Sequence, residues 1–415
     1  MNDKNSESSG VLPSILSDIL VLDVTNVLAG PFATYTLSLL GARIIKVEQL
    51  EGGDLARSLG GSPEGNRKLM GTSFVAQNCN KESVALDLKS EEGREVFRRL
   101  VDRSDILVEN FRPGVMTRLG LGYENLRQRR PELVYCAISG YGQDGPEAGN
   151  PAYDQIIQGK SGLMAVTGEE GGEALRCGFP IADTVGGLNA VLGIICALYQ
   201  RQTSGQGQYV DVALLDSLLP MMGWVASNYL QAGIPPQRFG NENFTAAPSG
   251  VFETAAGKLN IAANKQEQWE ALCRILDLEE LIADPRFCER EVRKANRYQL
   301  RLLLNDKLAR RSARAWAQIL NQQGIPSGEV LALEEALSQP QVEHRGLLRQ
   351  FDDSELGRCT VFGLPLKFSA AAQVEAPLTA PPRLGEHTRP ILSELGYTAD
   401  EVRILAERGV IRIKD

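Results

Sequence analysis

Between residues 19 and 140, short apolar runs alternate with amphipathic stretches, and this rhythm restricts the fold more than any other feature of the chain. "ILVLDVT" (19–25) is rich in Leu, Val and Ile, the pattern of a strand buried on both faces. "GPFATYTLSLLGA" (30–42) follows as a helix, with Pro31 in its first turn. "RIIKVEQ" (43–49) and "SVALDLK" (83–89) read as a second and a third strand. "SEEGREVFRRLVDRS" (90–104) is an amphipathic helix opened by Ser90. "DILVENF" (105–111) and "ELVYCAISG" (132–140) are further strands. Strand–helix alternation of this kind predicts an α/β fold: a parallel sheet covered by helices in a Rossmann-like layer.

Further along, "GLNAVLGIICALYQRQ" (187–202) reads as an apolar helix, and "GQGQYVDVALLDS" (205–217) as a turn, a strand and a helix start. A long helix then runs to about Ala232. The composition shifts near 235, where a hairpin-like segment and several helical stretches predict a smaller α+β domain. With 415 residues the chain exceeds what one hydrophobic core organises. The expected division is a disordered tail over 1–18, a large Rossmann-like domain over 19–232, a small domain over 233–345, and a linker with a C-terminal segment over 346–415. The Pro/Ala-rich stretch 370–388 reads as extended, ending in a helix start.

Several function classes are disfavoured. The net charge is −8 and no basic stretch is interleaved with aromatics, so nucleic acid is not an expected partner. No apolar run reaches the roughly 20 residues of a membrane span. The polar start "MNDKNSESSG" lacks a signal-peptide core, and a cytoplasmic location is expected. The seven cysteines form no Cys-x-x-Cys pair, so neither a disulfide framework nor a metal site is indicated. The two histidines, His344 and His387, have no Ser or Cys partner nearby in sequence, which leaves a triad hydrolase unsupported.

One carboxylate stands out. In "GFPIADTVGG" (178–187), Asp183 is surrounded by small and apolar residues. Asp is a strong helix N-cap, and a helix starts within a few residues. The same position suits a nucleophile: a helix N-terminus stabilises anions, so the carboxylate is expected to stay ionised at neutral pH. Gly186 and Gly187 carry no side chain to obstruct a ligand. Cap and nucleophile are compatible roles, and the local sequence does not separate them.

The segment "VLDVTNVLAGPFATYTLSLLGARIIKVEQLEGGDLAR" (21–57) resembles the opening of the class III CoA-transferases, the formyl-CoA transferase/carnitine CoA-transferase family. "NKESVALDLKSEEG", "DILVENFRPGVMTRLGLGYE", "ISGYGQDGP", "AYDQIIQGKSGLMAVTG" and "GQGQYVDVALLDS" resemble the family in its order and spacing, from about residue 19 to the end. The resemblance implies that Asp183 is the covalent nucleophile, forming a mixed anhydride and then an aspartyl-CoA thioester. It places CoA contacts at Leu28, Ala29, Gln49, Leu86, Asp87, Leu88, Lys89, Asn110, Phe111, Arg112 and Arg118, with Asp154 as an acidic residue near the nucleophile. Leu28 stands where oxalate-acting members often have Gln, and Gln49 where a family Arg often faces the adenosine phosphate. The helix start at Thr184–Gly187, or a glycine loop, is the expected source of oxyanion donors. The resemblance also implies an interlocked homodimer, with the final segment returning to the large domain, no permanently bound cofactor, and coenzyme A thioesters as substrates.

Three other readings fit the sequence less well. An acyl-CoA racemase of the same superfamily would need a His where Tyr153 stands, and a tyrosine is a poor base near neutral pH. A nicotinamide dehydrogenase would need G-x-G-x-x-G after the first strand, where only Gly30 occurs. A non-catalytic CoA-binding protein would have no need of Asp183. "NENFTAAPSGVF" (241–252) has no tetraglycine run of the formyl-CoA:oxalate kind, so the chain looks closer to members using succinyl-CoA and small dicarboxylates. Transfer from acetyl-CoA or formyl-CoA to oxalate is the alternative, and the loop Asn241–Gly250 is the candidate for closing the site.

Overall fold

The computed structural model describes residues 14–369 and 378–414. Within them the chain divides into two compact units: one takes 14–163, 177–227 and 343–414, the other 164–176 and 228–342. The segment 164–176, expected with the large domain, is thus counted with the smaller unit. Residues 1–13 of the expected tail and 370–377 of the Pro/Ala-rich stretch lie outside the described residues. Residues 14–18 do not behave as a tail: Leu16 is buried in the core, and its N–H donates to the Leu40 carbonyl.

The first unit is built on a seven-stranded sheet. Its first six strands are β1 (Leu20–Asp23), β2 (Arg43–Glu48), β3 (Lys81–Leu86), β4 (Ile106–Glu109), β5 (Val134–Ser139) and β6 (Tyr209–Ala213). In space they run β3–β2–β1–β4–β5–β6, all parallel, and a last strand, Ile411–Arg412, adds antiparallel to β3. Successive residues of each strand face opposite sides of the sheet. Val21, Ile44, Ile106 and Cys136 therefore pack on one face with α1 (Ala29–Leu39) and the Ile181–Ser204 helix. Leu22, Ile45, Leu107 and Tyr135 pack on the other with the Glu91–Val101 helix and the last two helices. Burial on both faces explains why these strands read as apolar runs. Ser90 caps the Glu91–Val101 helix, its hydroxyl accepting from the Gly93 N–H, as expected.

Two helical expectations need correction. The long helix before Ala232 is broken into Leu214–Leu218, a 3-10 turn Leu219–Met222 and Gly223–Ala232. Pro220 and the positive φ of Gly223 account for the breaks. The second correction concerns membrane-length runs. Among the described residues the Ile181–Ser204 helix is long and apolar enough, by length and composition, to cross a membrane. Its buried face, including Ala190, Ile194 and Ala197, belongs to the core of the first unit.

The second unit holds a three-stranded antiparallel sheet of Ser249–Glu253, Lys258–Ala262 and Ser327–Glu329. The Gln266–Ile275, Arg297–Leu308 and Ala313–Gln322 helices close its core around Trp269, Leu304 and Trp316.

Beside α1, six charged side chains are buried: Asp23, Lys46, Glu48, Asp54, Arg57 and Lys81. Arg57 grips Glu48 through two hydrogen bonds of 2.7 Å, stacks 3.8 Å from the centre of the Phe74 ring and donates to the Pro382 carbonyl. Burial alone would raise the Glu48 carboxyl, but the guanidinium outweighs it and holds it low. Removing one partner of a buried pair leaves the other charge uncompensated, at a cost of about 3–5 kcal/mol. Arg57→Ala should lower the unfolding free energy by about that amount, measured by urea denaturation.

Candidate active site

The sheet order reverses at β1: the chain runs outward through β2 and β3, then crosses back to β4 on the other side. In open α/β sheets ligands bind outside the carboxyl ends of the strands at such a switch point. A cleft of about 300 Å³ opens there. One wall is the loop 26–29 after β1, another is 110–112 after β4, and a third is 150–153. Ile138, Gly140, Leu214 and Asp183 complete it. Among the described residues, Asp183 is the only carboxylate on these walls and Arg112 the only cation.

The two strand-end loops are tied together by one side chain. The Asn26 N–H donates to Asn110 Oδ1 at 2.8 Å, and Asn110 Nδ2 donates to the Asn26 carbonyl at 2.8 Å. Between Asn26 and α1 the chain turns through Val27, whose φ of 68° lies in the left-handed region. L-residues pay about 1–2 kcal/mol for that region, and a β-branched one is a true outlier there. The Val27 N–H donates to Asp54 Oδ1 at 2.9 Å, and Asp54 Oδ2 lies 3.0 Å from the buried Lys46 ammonium. The first helix then begins at Ala29 with no side-chain cap, so the Ala29 and Gly30 amides belong to a turn without intrahelical acceptors. On the β4 side, Phe111 is fixed by its N–H to Glu109 Oε2 at 2.8 Å. Burial pushes the Glu109 carboxyl up to about 7 despite that bond.

Asp183 is the third residue of its helix, which starts at Ile181 rather than 187. It is not the cap. That function comes from Asp154, whose Oδ1 accepts the Ala182 N–H at 2.8 Å and the Asp183 N–H at 3.4 Å. Asp154 is itself held by the buried Gln158, whose Nε2 donates to Oδ2 at 2.6 Å while its Oε1 accepts the Cys177 N–H at 2.8 Å. The ionisation expected of Asp183 is also corrected. Burial, with the neighbouring charge of Asp154, pushes its carboxyl up to about 7. The helix N-terminus does not keep the group strongly acidic, because Asp154 already accepts from its amides.

The glycines after the carboxylate serve packing rather than ligand access. A Cβ on Gly186 would lie 2.2 Å from Leu214 Cδ2, and one on Gly187 would lie 2.7 Å from the Ala29 carbonyl oxygen. Gly187 thereby lets the Ile181–Ser204 helix sit against the start of α1, one turn beyond Asp183. Thr184–Gly187 lie inside the helix, and the Thr184 N–H already donates to the Pro180 carbonyl. They are therefore not the oxyanion donors that the sequence suggested.

Of the residues singled out from the sequence, the structure brings Leu28, Ala29, Asn110, Phe111, Arg112 and Asp183 to one cleft. The others do not line it. Gln49 donates its amide to the Gly53 carbonyl. Leu86 is buried in the core beneath the last strand, and Leu88 packs against the same core. Asp87 Oδ1 accepts the Lys89 N–H, and the Lys89 and Arg118 side chains are exposed. Asp154 is buried at the helix end, where its Oδ1 accepts the Ala182 N–H. Val27, Asp54, Glu109 and Gln158 were missed; the Asp of "GGDLAR" and the Gln four residues after Asp154 carry no local motif. The loop Asn241–Gly250 belongs to the second unit. Among the described residues no group of three or more His, Cys, Asp or Glu side chains is placed to hold a metal ion.

Fold and site together define a doubly wound α/β protein with a single carboxylate over its switch-point cleft. The chain belongs to CoA-transferase family III, whose model matches residues 16–388, and it is a CoA-transferase. It is 37% identical to the succinyl-CoA:glutarate CoA-transferase of Mus musculus, over 95% of this chain and 90% of that protein. It is 39% identical to the acetyl-CoA:oxalate CoA-transferase of Acetobacter aceti, over 80% of this chain and 84% of that one. A CAIB/BAIF family protein from Brucella suis matches with a TM-score of 0.80 at 34% identity, covering 92% of this chain and 100% of that one.

The raised Asp183 carboxyl sets a sign for stability. Between its ordinary value of 3.8 and about 7, the folded chain holds a proton that the unfolded chain has released. Stability is therefore lost as pH rises through that window. Asp183→Asn should raise the unfolding temperature at pH 8 and change it little at pH 4, measured by calorimetry.

Proposed function

We propose that the protein transfers CoA from an acyl-CoA, with succinyl-CoA the favoured donor, to a small dicarboxylic acid, through covalent intermediates on Asp183. The observation that carries this reading is the lone cleft carboxylate, poised near neutral pH beside the uncapped start of α1. An Asp183 oxygen attacks the thioester carbonyl, the C–S bond breaks, and a mixed anhydride and CoA thiolate form. The thiolate attacks the aspartyl carbonyl and expels the donor acid as its carboxylate, leaving an aspartyl-CoA thioester. The acceptor carboxylate repeats the two steps in reverse order and leaves with CoA. A carboxylate suits this exchange because its anhydride and thioester stay close in energy to the substrate thioester.

Each tetrahedral intermediate carries an oxyanion, for which the first-turn amides of Ala29 and Gly30 are the candidate donors. Arg112, on the cleft wall, is the proposed partner of a CoA phosphate or an acceptor carboxylate. The dicarboxylate preference draws on the glutarate-using and oxalate-using relatives, with Leu28, Ile138 and Leu214 giving the cleft apolar walls. A second copy of the chain is the proposed partner. The Ile181–Ser204 helix leaves Leu188, Leu192 and Tyr199 50%, 61% and 75% exposed, an apolar stripe suited to burial in a homodimer. Light scattering should give twice the chain mass; a monomer would overturn the dimer.

Asp183→Ala should lower turnover by at least about 10³-fold, as loss of a covalent nucleophile generally does. Wild-type enzyme mixed with succinyl-CoA alone should show an adduct of CoA size by intact mass, discharged by glutarate or another dicarboxylate. Free CoA released without an adduct, and without acceptor-CoA across a panel including oxalate, would make the protein a thioesterase instead.

A further inference from the structure

We propose that the left-handed turn at Val27 is a positioning device for CoA transfer, which fixes the start of α1 beside Asp183. This inference rests on the transferase mechanism above. Three observations converge on it. Val27 takes a φ of 68°, which its branched side chain disfavours, so the conformation is imposed from outside. The constraints are specific: the buried Asp54 accepts the Val27 N–H, and the Asn110 carboxamide engages both backbone groups of Asn26. Asp54 is in turn held by Lys46, whose ammonium also donates to the Thr25 carbonyl at 2.7 Å. The backbone of residues 25–27 is thus anchored from β2, from β4 and from the turn leading to Asp54.

The other end of the turn reaches the reacting group. Leu28 and Ala29 share the cleft with Asp183, and the Ala29 carbonyl lies so near Gly187 that a Cβ there would fall 2.7 Å away. Rotating Val27 into the ordinary β or α region would redirect the chain immediately before Leu28 and shift the first-turn amides of α1 relative to the carboxylate. Reacting groups tolerate little such misplacement, and a shift of 1 Å is worth about a hundredfold in rate. Val27 and Asp54 are therefore positioning residues that act through the backbone of α1; Asp54 lies behind the cleft wall, and Val27 is part of that wall.

The test compares Val27→Gly with Val27→Asn. Glycine accepts the left-handed region but also frees the turn to leave it. Asparagine tolerates that region better than valine and keeps a side chain. Amide exchange over residues 26–30 is followed by mass spectrometry, with kcat and KM measured for succinyl-CoA and glutarate. Val27→Gly should exchange faster across 26–30, with an unfolding temperature no lower than wild type. Its kcat should fall about tenfold or more while KM for succinyl-CoA stays within about threefold. Val27→Asn, which tolerates the left-handed turn, should keep wild-type exchange across 26–30. Wild-type exchange and kcat in Val27→Gly would overturn the proposal, as would a fall in kcat for Val27→Asn as large as that for Val27→Gly while its exchange over 26–30 stays at the wild-type rate, since side-chain contact in the cleft rather than the turn would then be what matters. Should wild-type enzyme transfer no CoA, the transferase reading fails by itself, and the exchange comparison still decides whether Val27 holds the turn.

Discussion

Beneath the first βα turn, three acids and three bases are withdrawn from water together: Asp23, Glu48 and Asp54 with Lys46, Arg57 and Lys81. The cleft is built on how they pair. Burial alone would raise the Asp23 carboxyl, but the two lysine ammoniums beside it, with the Thr25 and Thr34 hydroxyls, hold it far below the usual carboxylate range. Burial pulls Lys81 down to about 8, although Asp23 lies 3.0 Å away. Buried pairs of this kind rarely add much net stability over a well-packed apolar core, while breaking one is expensive. Their value here is directional. Each oxygen and ammonium has a fixed partner, and several of those partners are backbone groups of the loop leading to α1: the Thr25 N–H on Asp23, the Thr25 carbonyl on Lys46 and the Val27 N–H on Asp54.

Two carboxylates 29 residues apart in sequence acquire different roles from their surroundings alone. Asp154 accepts hydrogen bonds from the Ala182 and Asp183 amides and from the Gln158 amide, so it belongs to the scaffold. Asp183 sits on the cleft wall and feels both burial and the charge of Asp154. Environments that push two acids apart in this way are a usual route to separate structural and reactive tasks. An Asp183 carboxyl that ionises near pH 7 is also more basic than an ordinary one. A more basic carboxylate is a better nucleophile toward a thioester once ionised, at the expense of being partly protonated at neutral pH.

The strands and helices of the first half were legible because burial on both faces writes itself as apolar runs: "ILVLDVT" and "ELVYCAISG" contain β1 and β5. Asp183 was legible as a candidate, and the quoted motifs carried the family. The beginning of its helix was not, because the cap lies 28 residues before Ala182 and cannot appear in a local pattern. Asp54 escaped for the same reason, lying 27 residues from the amide it holds. Asn110 lines the cleft, and its carboxamide also has both ends on the backbone of Asn26, 84 residues away, a pairing that no local window shows. Leu86 and its neighbours follow a recognisable sequence signature, but the strand Ile411–Arg412 packs Leu86 into the core, a pairing across more than 300 residues that no window shows.

Local preference is broken around this cleft in several independent ways. Val27 is bent into a conformation that valine avoids, and Asp183 is half-buried in its helix with its carboxyl pushed up to about 7. Gly186 and Gly187 follow inside the same helix, where glycine is about 1 kcal/mol worse than alanine per residue. Leu69, left-handed elsewhere, shows that one such departure proves nothing: its carbonyl simply accepts from Arg57. What distinguishes the cleft is that the departures serve one geometry. The two glycines let the helices meet, the meeting brings Asp183 to the start of α1, and the turn at Val27 aims that start. Removing any one would make the chain locally more regular while disturbing the placement of the others, which is how proteins carry stability losses at functional sites and offset them in the surrounding core.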